Sequence, residues 1–208
     1  MHLSITNRKH VNYLAHFKLA GGRPKLLVGN ILADHVKGKL VGQFGKEIES
    51  GIRLHRVIDA YTDSHPLVQA SHARFHPKYR RYGGIITDIV FDHFLALNWS
   101  YFDRRSLQVF CRDTMDEVIC HTEIQLSPVR EQIERMRKKR LMEKYVDAAF
   151  IRRSLTYLSK KLKRENPLTS GYSQFEIFKL ELERDFLLFF PELQDFADSW
   201  IQEHYHPN

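Results

Sequence analysis

The 208-residue sequence holds only two cysteines, no apolar run near the roughly 18 residues a membrane-spanning helix needs, and no proline-, glycine- or serine-rich tract. Each absence excludes something. Two cysteines make no disulfide framework, and a chain of this length buries a core without one. Cys111 and Cys120 fall in one expected helix, where nine residues at about 1.5 Å each set them about 13 Å apart, too far to bridge. The missing apolar run excludes a membrane-spanning bundle. Arg8, Lys9, Lys18, Arg23 and Lys25 punctuate the first thirty residues, so no secretory leader is expected and a reducing cytoplasm is the expected compartment. No linker or internal repeat divides the chain, and a single domain over 1–208 is expected.

What is present is a globular composition, 43% hydrophobic and 27% charged, with a net charge of +7 that suits an anionic partner. Thirteen of the basic residues lie between 121 and 165, against six acids there. Histidine is the outlier: nine of the twelve lie in the first 93 residues, which marks the first half as the place to look for chemistry.

Apolar residues recur at helical spacing, as in Ile48, Ile52, His55, Ile58 and Ala60, or Phe175, Phe178, Leu182, Phe186 and Phe189. The pattern predicts an all-α, single-domain helical bundle with helices near 9–20, 24–38, 46–63, 66–75, 79–99, 104–121, 128–141, 143–164, 172–189 and 191–204. Pro24, Pro66, Pro128 and Pro191 stand where helices can begin, with Ser64, Ser127 and the Gly21, Gly22 pair as cap or turn residues ahead of them. The run 40–44 is short and glycine-flanked and is read as a loop. Trp200 and Tyr205 on the last helix serve either a dimer contact or the core, and the oligomeric state stays open.

Polar residues interrupt the apolar helices of the first half at four-residue intervals. His16 follows Leu14 and Ala15. Asn30 and Asp34 are four apart, as are His55 and Asp59, and Asp88 and Asp92, with His93 adjacent. Residues four apart share a helix face, so each pair can aim two ligands at one point, which is how helical bundles build metal sites. A single such pair is commonly an exposed face or an internal hydrogen bond. Four elements on apolar helices instead suggest a shared cation whose charge offsets the cost of burying carboxylates. An Asp/His set without cysteine suits Mn, Fe, Mg or Zn and metal-assisted attack of water on phosphorus. His16, Asp34, His55, Asp59, Asp88 and Asp92 are the expected metal ligands; Asp34, His55, Asp59, Asp92 and His93 are the expected catalytic group. Lys37, Arg53 and Arg81 are expected to hold the phosphate, with Arg56 and Arg80 as further cations. Asp63 and Ser64 read as capping residues, and His65 shares their turn. His72, His76, His121, His204 and His206 read as surface side chains.

The segments NYLAH at 12–16, GNILADHVKG at 29–38, GIRLHRVIDAYTDSHP at 51–66 and DIVFDHFL at 88–95 closely resemble the acyl carrier protein phosphodiesterase family in order and spacing. The less specific stretches at 157–159 and 190–193 extend the resemblance over nearly the whole chain. It implies a helical protein distantly related to the HD-type phosphohydrolases, dependent on a divalent metal, commonly manganese. The implied reaction is hydrolysis of holo acyl carrier protein to the apo protein and 4′-phosphopantetheine. The order Asp92, His93 reverses the His, Asp pair that names the HD group, and about ten residues precede the first motif. The implied substrate is a small acidic protein, for which the basic stretch 130–164 offers a complementary surface. Two other readings stand beside it: hydrolysis of another small phosphodiester or nucleotide, and a non-catalytic basic module binding a carrier protein or nucleic acid. Nucleic acid is disfavoured because basic and aromatic residues are not interleaved for base stacking.

Overall fold

The computed structural model describes residues 13–40, 42–125 and 129–207. Among them every regular element is helical and none is a strand, as the apolar periodicity predicts. In chain order they are α1 (Tyr13–Leu19), α2 (Pro24–Ala33), α3 (Lys46–Ser64), α4 (Pro66–Arg74), α5 (Pro77–Arg80), α6 (Gly83–Leu97), α7 (Leu107–Cys120), α8 (Thr122–Gln125), α9 (Arg130–Lys138), α10 (Ala148–Lys161) and α11 (Tyr172–His204). Short 3₁₀ turns lie at Trp99–Tyr101, Glu143–Val146 and Leu168–Ser170. The start of the first expected helix, near residue 9, and Ser127 and Pro128 at the start of the one expected at 128–141, lie outside the described residues. No helix among the described residues is long and apolar enough to cross a membrane.

The core is built on α6, whose residues are buried on almost every side. Phe91 packs against Phe186 and Phe189 of α11, with ring centroids 5.5 and 5.8 Å apart, and Phe94 meets Phe175 and Phe186 at 6.0 Å. The α2–α3 crossing is different, because backbone meets backbone. A Cβ at Gly29 would stand 2.3 Å from the Ile48 carbonyl oxygen, and one at Gly51 would stand 2.6 Å from that of Leu26. Only glycine permits this approach, and it sets the middle of α2 against the first turns of α3.

Several boundaries depart from the periodicity. α2 stops at Ala33 rather than 38, because the Arg56 guanidinium donates to the Val36 and Gly38 carbonyl oxygens, both at 2.9 Å, and the glycine adopts a left-handed φ of +79°. The chain expected as one helix at 79–99 is α5 followed by α6, and the one expected at 143–164 is a 3₁₀ turn followed by α10. Asp147 sets that second start by accepting from the Ala149 amide at 2.8 Å. α4 is capped not by Ser64 but by His65, whose Nδ1 accepts from the Leu67 amide at 3.3 Å. The two last expected helices are one, kinked at Phe178 with Pro191 inside it. Leu182, Phe186, Phe189, Leu193, Ala197 and Ile201 form a continuous buried stripe across the proline, and that burial outweighs the backbone bond it forfeits.

Candidate metal centre

α1, α2 and α3 each place side chains at one point. His16 comes from the middle of α1, Asp34 from the C-cap of α2, and His55 and Asp59 from successive turns of α3. The His16 and His55 rings stack with centroids 4.0 Å apart and planes 13° from parallel. Both present Nε2 to one carboxylate: His16 lies 3.2 Å from Asp59 Oδ1 and His55 lies 3.4 Å from Asp59 Oδ2. Asp34 Oδ1 is 3.8 Å from His55 Nε2. One ligand atom each from His16, His55 and Asp59 falls within 4.8 Å of the others. Both imidazoles are buried, whereas the Asp59 side chain is 36% exposed, so the cluster opens to solvent at the carboxylate.

Electrostatics set the two histidines apart. Burial lowers the His16 pKa, and the neighbouring His55 charge lowers it further. Burial also acts to lower His55, but hydrogen bonding and charge from Asp59, with the Asp34 charge, outweigh it and raise the pKa. Burial would raise Asp59, yet the hydrogen bonds from His16 and His55 hold its carboxyl far below the usual carboxylate range. The cluster therefore keeps Asp59 ionised and favours one imidazolium over two, as stacked like charges demand. His55 Nδ1 is buried without a protein partner.

A hydrogen-bonded chain supports Asp34. Tyr13 donates its hydroxyl to Asp34 Oδ2 at 3.1 Å and accepts from Gln132 Nε2 of α9 at 2.7 Å. Burial and the Asp34 charge push the Tyr13 pKa up, which keeps the phenol a donor. Neither residue was singled out from the sequence. Tyr13 lies inside the first motif, beside His16, whereas Gln132 is 119 residues from its partner and carries no local signal.

Asp92 is fully buried and accepts the Leu14 and Ala15 amides, at 3.1 and 2.9 Å. It holds α1 by its backbone and so fixes where His16 points. Burial pushes its carboxyl well above the ordinary range, and the Asp88 charge adds to this against the two amides. Asp88 stands half-buried one turn earlier on α6. His93 turns away from the other imidazoles, its Nδ1 2.5 Å from the Tyr145 carbonyl oxygen. Asn30 is likewise turned to backbone, donating to the His16 carbonyl oxygen at 3.4 Å.

The expected phosphate ligands lie around the cluster rather than in it. Lys37 is exposed on the loop three residues beyond Asp34. Arg53 donates to Glu49 on α3 at 2.9 Å, about 200° around the helix from His55. Arg81 is exposed at the turn between α5 and α6. Arg56 is committed to the loop carbonyls described above. His65 Nε2 pairs with Glu192 of α11 at 3.2 Å and contributes to the fold there.

The family model described as acyl carrier protein phosphodiesterase matches residues 11–193. A protein of that name from Photorhabdus laumondii is 31% identical over 190 residues, covering 91% of this chain and 96% of the relative. Those from Serratia proteamaculans and Yersinia enterocolitica are 33% and 32% identical, covering 90% and 91% of this chain and 97% and 98% of their own. No solved structure matches the chain. The match spans all four motif segments and all three helices that build the cluster, and the chain belongs to the acyl carrier protein phosphodiesterase family.

Proposed function

We propose that this chain is a metal-dependent phosphodiesterase that hydrolyses holo acyl carrier protein to the apo protein and 4′-phosphopantetheine. The observation that carries the reading is the convergence of His16, His55 and Asp59, with Asp34 beside them, in a chain of this family. Two imidazole nitrogens and two carboxylates are a donor set that fits a divalent cation, manganese first, with iron, magnesium and zinc as alternatives. Bound there, the cation would stabilise charge on the phosphoryl oxygens and make water a competent nucleophile at neutral pH.

The protein groups divide the remaining work. Asp59, ionised and open to solvent, is the carboxylate that holds the cation where water and substrate can reach it; Asp34, held by Tyr13, completes the anionic rim. Asp92 is a positioning residue that acts through the α1 backbone, and His93 acts through the Tyr145 segment. Lys37, exposed three residues beyond Asp34, is assigned to a phosphate oxygen, and Arg53 and Arg81 to the outlying parts of a large substrate.

The acidic carrier protein docks on the basic surface of α9 and α10. Arg130, Arg137, Arg140 and Arg153 already pair with Glu134, Asp116, Glu143 and Asp147. Arg135, Lys138, Lys139, Lys144, Lys160, Lys161, Lys163 and Arg164 are exposed and have no acidic partner among the described residues. α9 reaches the cluster through Gln132, so docked carrier protein would lie next to the site. The test is the intact mass of holo acyl carrier protein after incubation with the enzyme and manganese, with and without chelator. Metal-dependent loss of the whole phosphopantetheine group is the expected result. An unchanged mass alongside hydrolysis of small phosphodiesters would assign a different substrate.

A further inference from the structure

His16, His55 and Asp59 project from within α1 and α3, whereas Asp34 stands at the C-cap of α2, where the chain leaves the helix. A carboxylate at a helix end can swing among staggered rotamers, and a cation site needs one of them held. Two hydrogen bonds in series do this. The Tyr13 hydroxyl donates to Asp34 Oδ2 at 3.1 Å, and the other oxygen, Oδ1, lies 3.8 Å from His55 Nε2. Gln132 of α9 donates Nε2 to the Tyr13 oxygen at 2.7 Å. The direction follows from chemistry: a carboxylate only accepts, so the phenol gives its single proton to Asp34, and the Gln132 atom facing the phenol oxygen must be the donor. That donated N–H draws charge from the phenol oxygen, acting against burial to lower the Tyr13 pKa and making the hydroxyl a stronger donor to Asp34.

α9 gives this pair of bonds a fixed base. Ile133 and Met136 are buried, and Arg137 Nε donates to Asp116 of α7 at 2.6 Å. Met136 also lies under the Gln132 amide, with Sδ 4.0 Å from Nε2. Gln132 therefore stands at the buried edge of α9, half-buried, while Arg135 and Lys138 are exposed. We propose that Gln132 is a positioning residue for the metal centre, acting through the Tyr13 hydroxyl to hold Asp34 with one oxygen turned toward the cation. The inference rests on the cation reading of His16, His55 and Asp59, and it adds a fourth helix, from 119 residues beyond Tyr13, to the three that carry the ligands. Because the bonds act in series, breaking the Gln132 bond should matter only while the Tyr13 hydroxyl is present.

Calorimetric titration of manganese into the metal-stripped full-length protein, its Gln132→Leu and Tyr13→Phe variants and the double variant tests this, with circular dichroism reporting the fold of each. Tyr13→Phe should weaken manganese binding about tenfold to a hundredfold and Gln132→Leu about threefold to tenfold, the range of groups that orient a metal ligand. The double variant should bind as Tyr13→Phe does, and the KM for holo acyl carrier protein at saturating manganese should stay at its native value in Gln132→Leu. Native manganese affinity in Gln132→Leu, or losses that add in the double variant, would overturn the proposal and leave the metal centre standing. A raised KM with unchanged manganese affinity would also overturn it and give Gln132 to the docking surface. A folded native protein that takes up no manganese would remove the metal centre itself, and this role of Gln132 with it.

Discussion

Asp59 receives Nε2 of both imidazoles while remaining the most solvent-accessible member of the cluster, so its loss removes the hub that the two histidines share. Asp59→Ala is expected to cut phosphodiester turnover at least about a hundredfold with the helical fold retained, measured by the carrier-protein assay beside circular dichroism. Asp92 acts through the backbone. Asp92→Ala strands two buried amides and should cost about 2–4 kcal/mol, weakening metal binding as His16 shifts, which calorimetry and urea titration separate. Asp103 provides a stability effect away from the cluster. Burial would raise its pKa, but hydrogen bonds from Arg105 and Lys18 hold it down at about 2. A depressed carboxyl stabilises the fold above its unfolded pKa and loses that contribution as pH falls through the folded value. Asp103→Asn should therefore cost on the order of 2 kcal/mol at pH 7, a gap that closes between about pH 4 and pH 2. At this scale the sequence set His55 and Asp59 on one helix face, because they stand four apart among isoleucines and leucines, and the structure brings His16 and Asp34 to the same point. The sequence showed Asp92 as polar and buried, but not that its partners are the amides of Leu14 and Ala15. A carboxylate's choice between a cation and a backbone amide depends on which helix lies above it, and spacing does not carry that.

Among the elements, the α2–α3 crossing positions the site, since Asp34 and His55 meet only while the two backbones touch at Gly29 and Gly51. Gly51→Ala would place a Cβ against the Leu26 carbonyl and the Gly29 backbone and force the helices apart. The expected cost is about 2 kcal/mol or more, with metal affinity lost in parallel, read from thermal unfolding with and without manganese. Pro191→Ala should act the other way. It restores the missing amide in a helix the proline does not end, so a stabilisation of about 1–3 kcal/mol in urea titrations is expected, with turnover unchanged. Helix existence was legible from period, and Pro24 and Pro66 marked true starts. Ends were less so: Arg56, 18 and 20 residues away from the carbonyls it holds, stops α2, and a long-range phenylalanine stripe overrides Pro191.

For the molecule as a whole, the candidate metal ligands meet where α1, α2 and α3 meet, a group of cations without acidic partners among the described residues lies on and beside α9 and α10, and four of the eight exposed large apolar side chains among the described residues lie on α11. The histidine asymmetry and the basic stretch foreshadowed the first two; the third needed the fold, because the residues of α11 are apolar on both sides and only packing decides which side is covered. The central claim is that His16, His55 and Asp59 hold a divalent cation. Calorimetric titration of manganese into the metal-stripped protein, its His55→Ala and Asp59→Ala variants, and Arg53→Ala as a control tests it most directly. Saturable binding to the native protein and to the Arg53 variant, lost in both cluster variants, is the predicted result; binding that survives in both cluster variants, or is absent from the folded native protein, would contradict it.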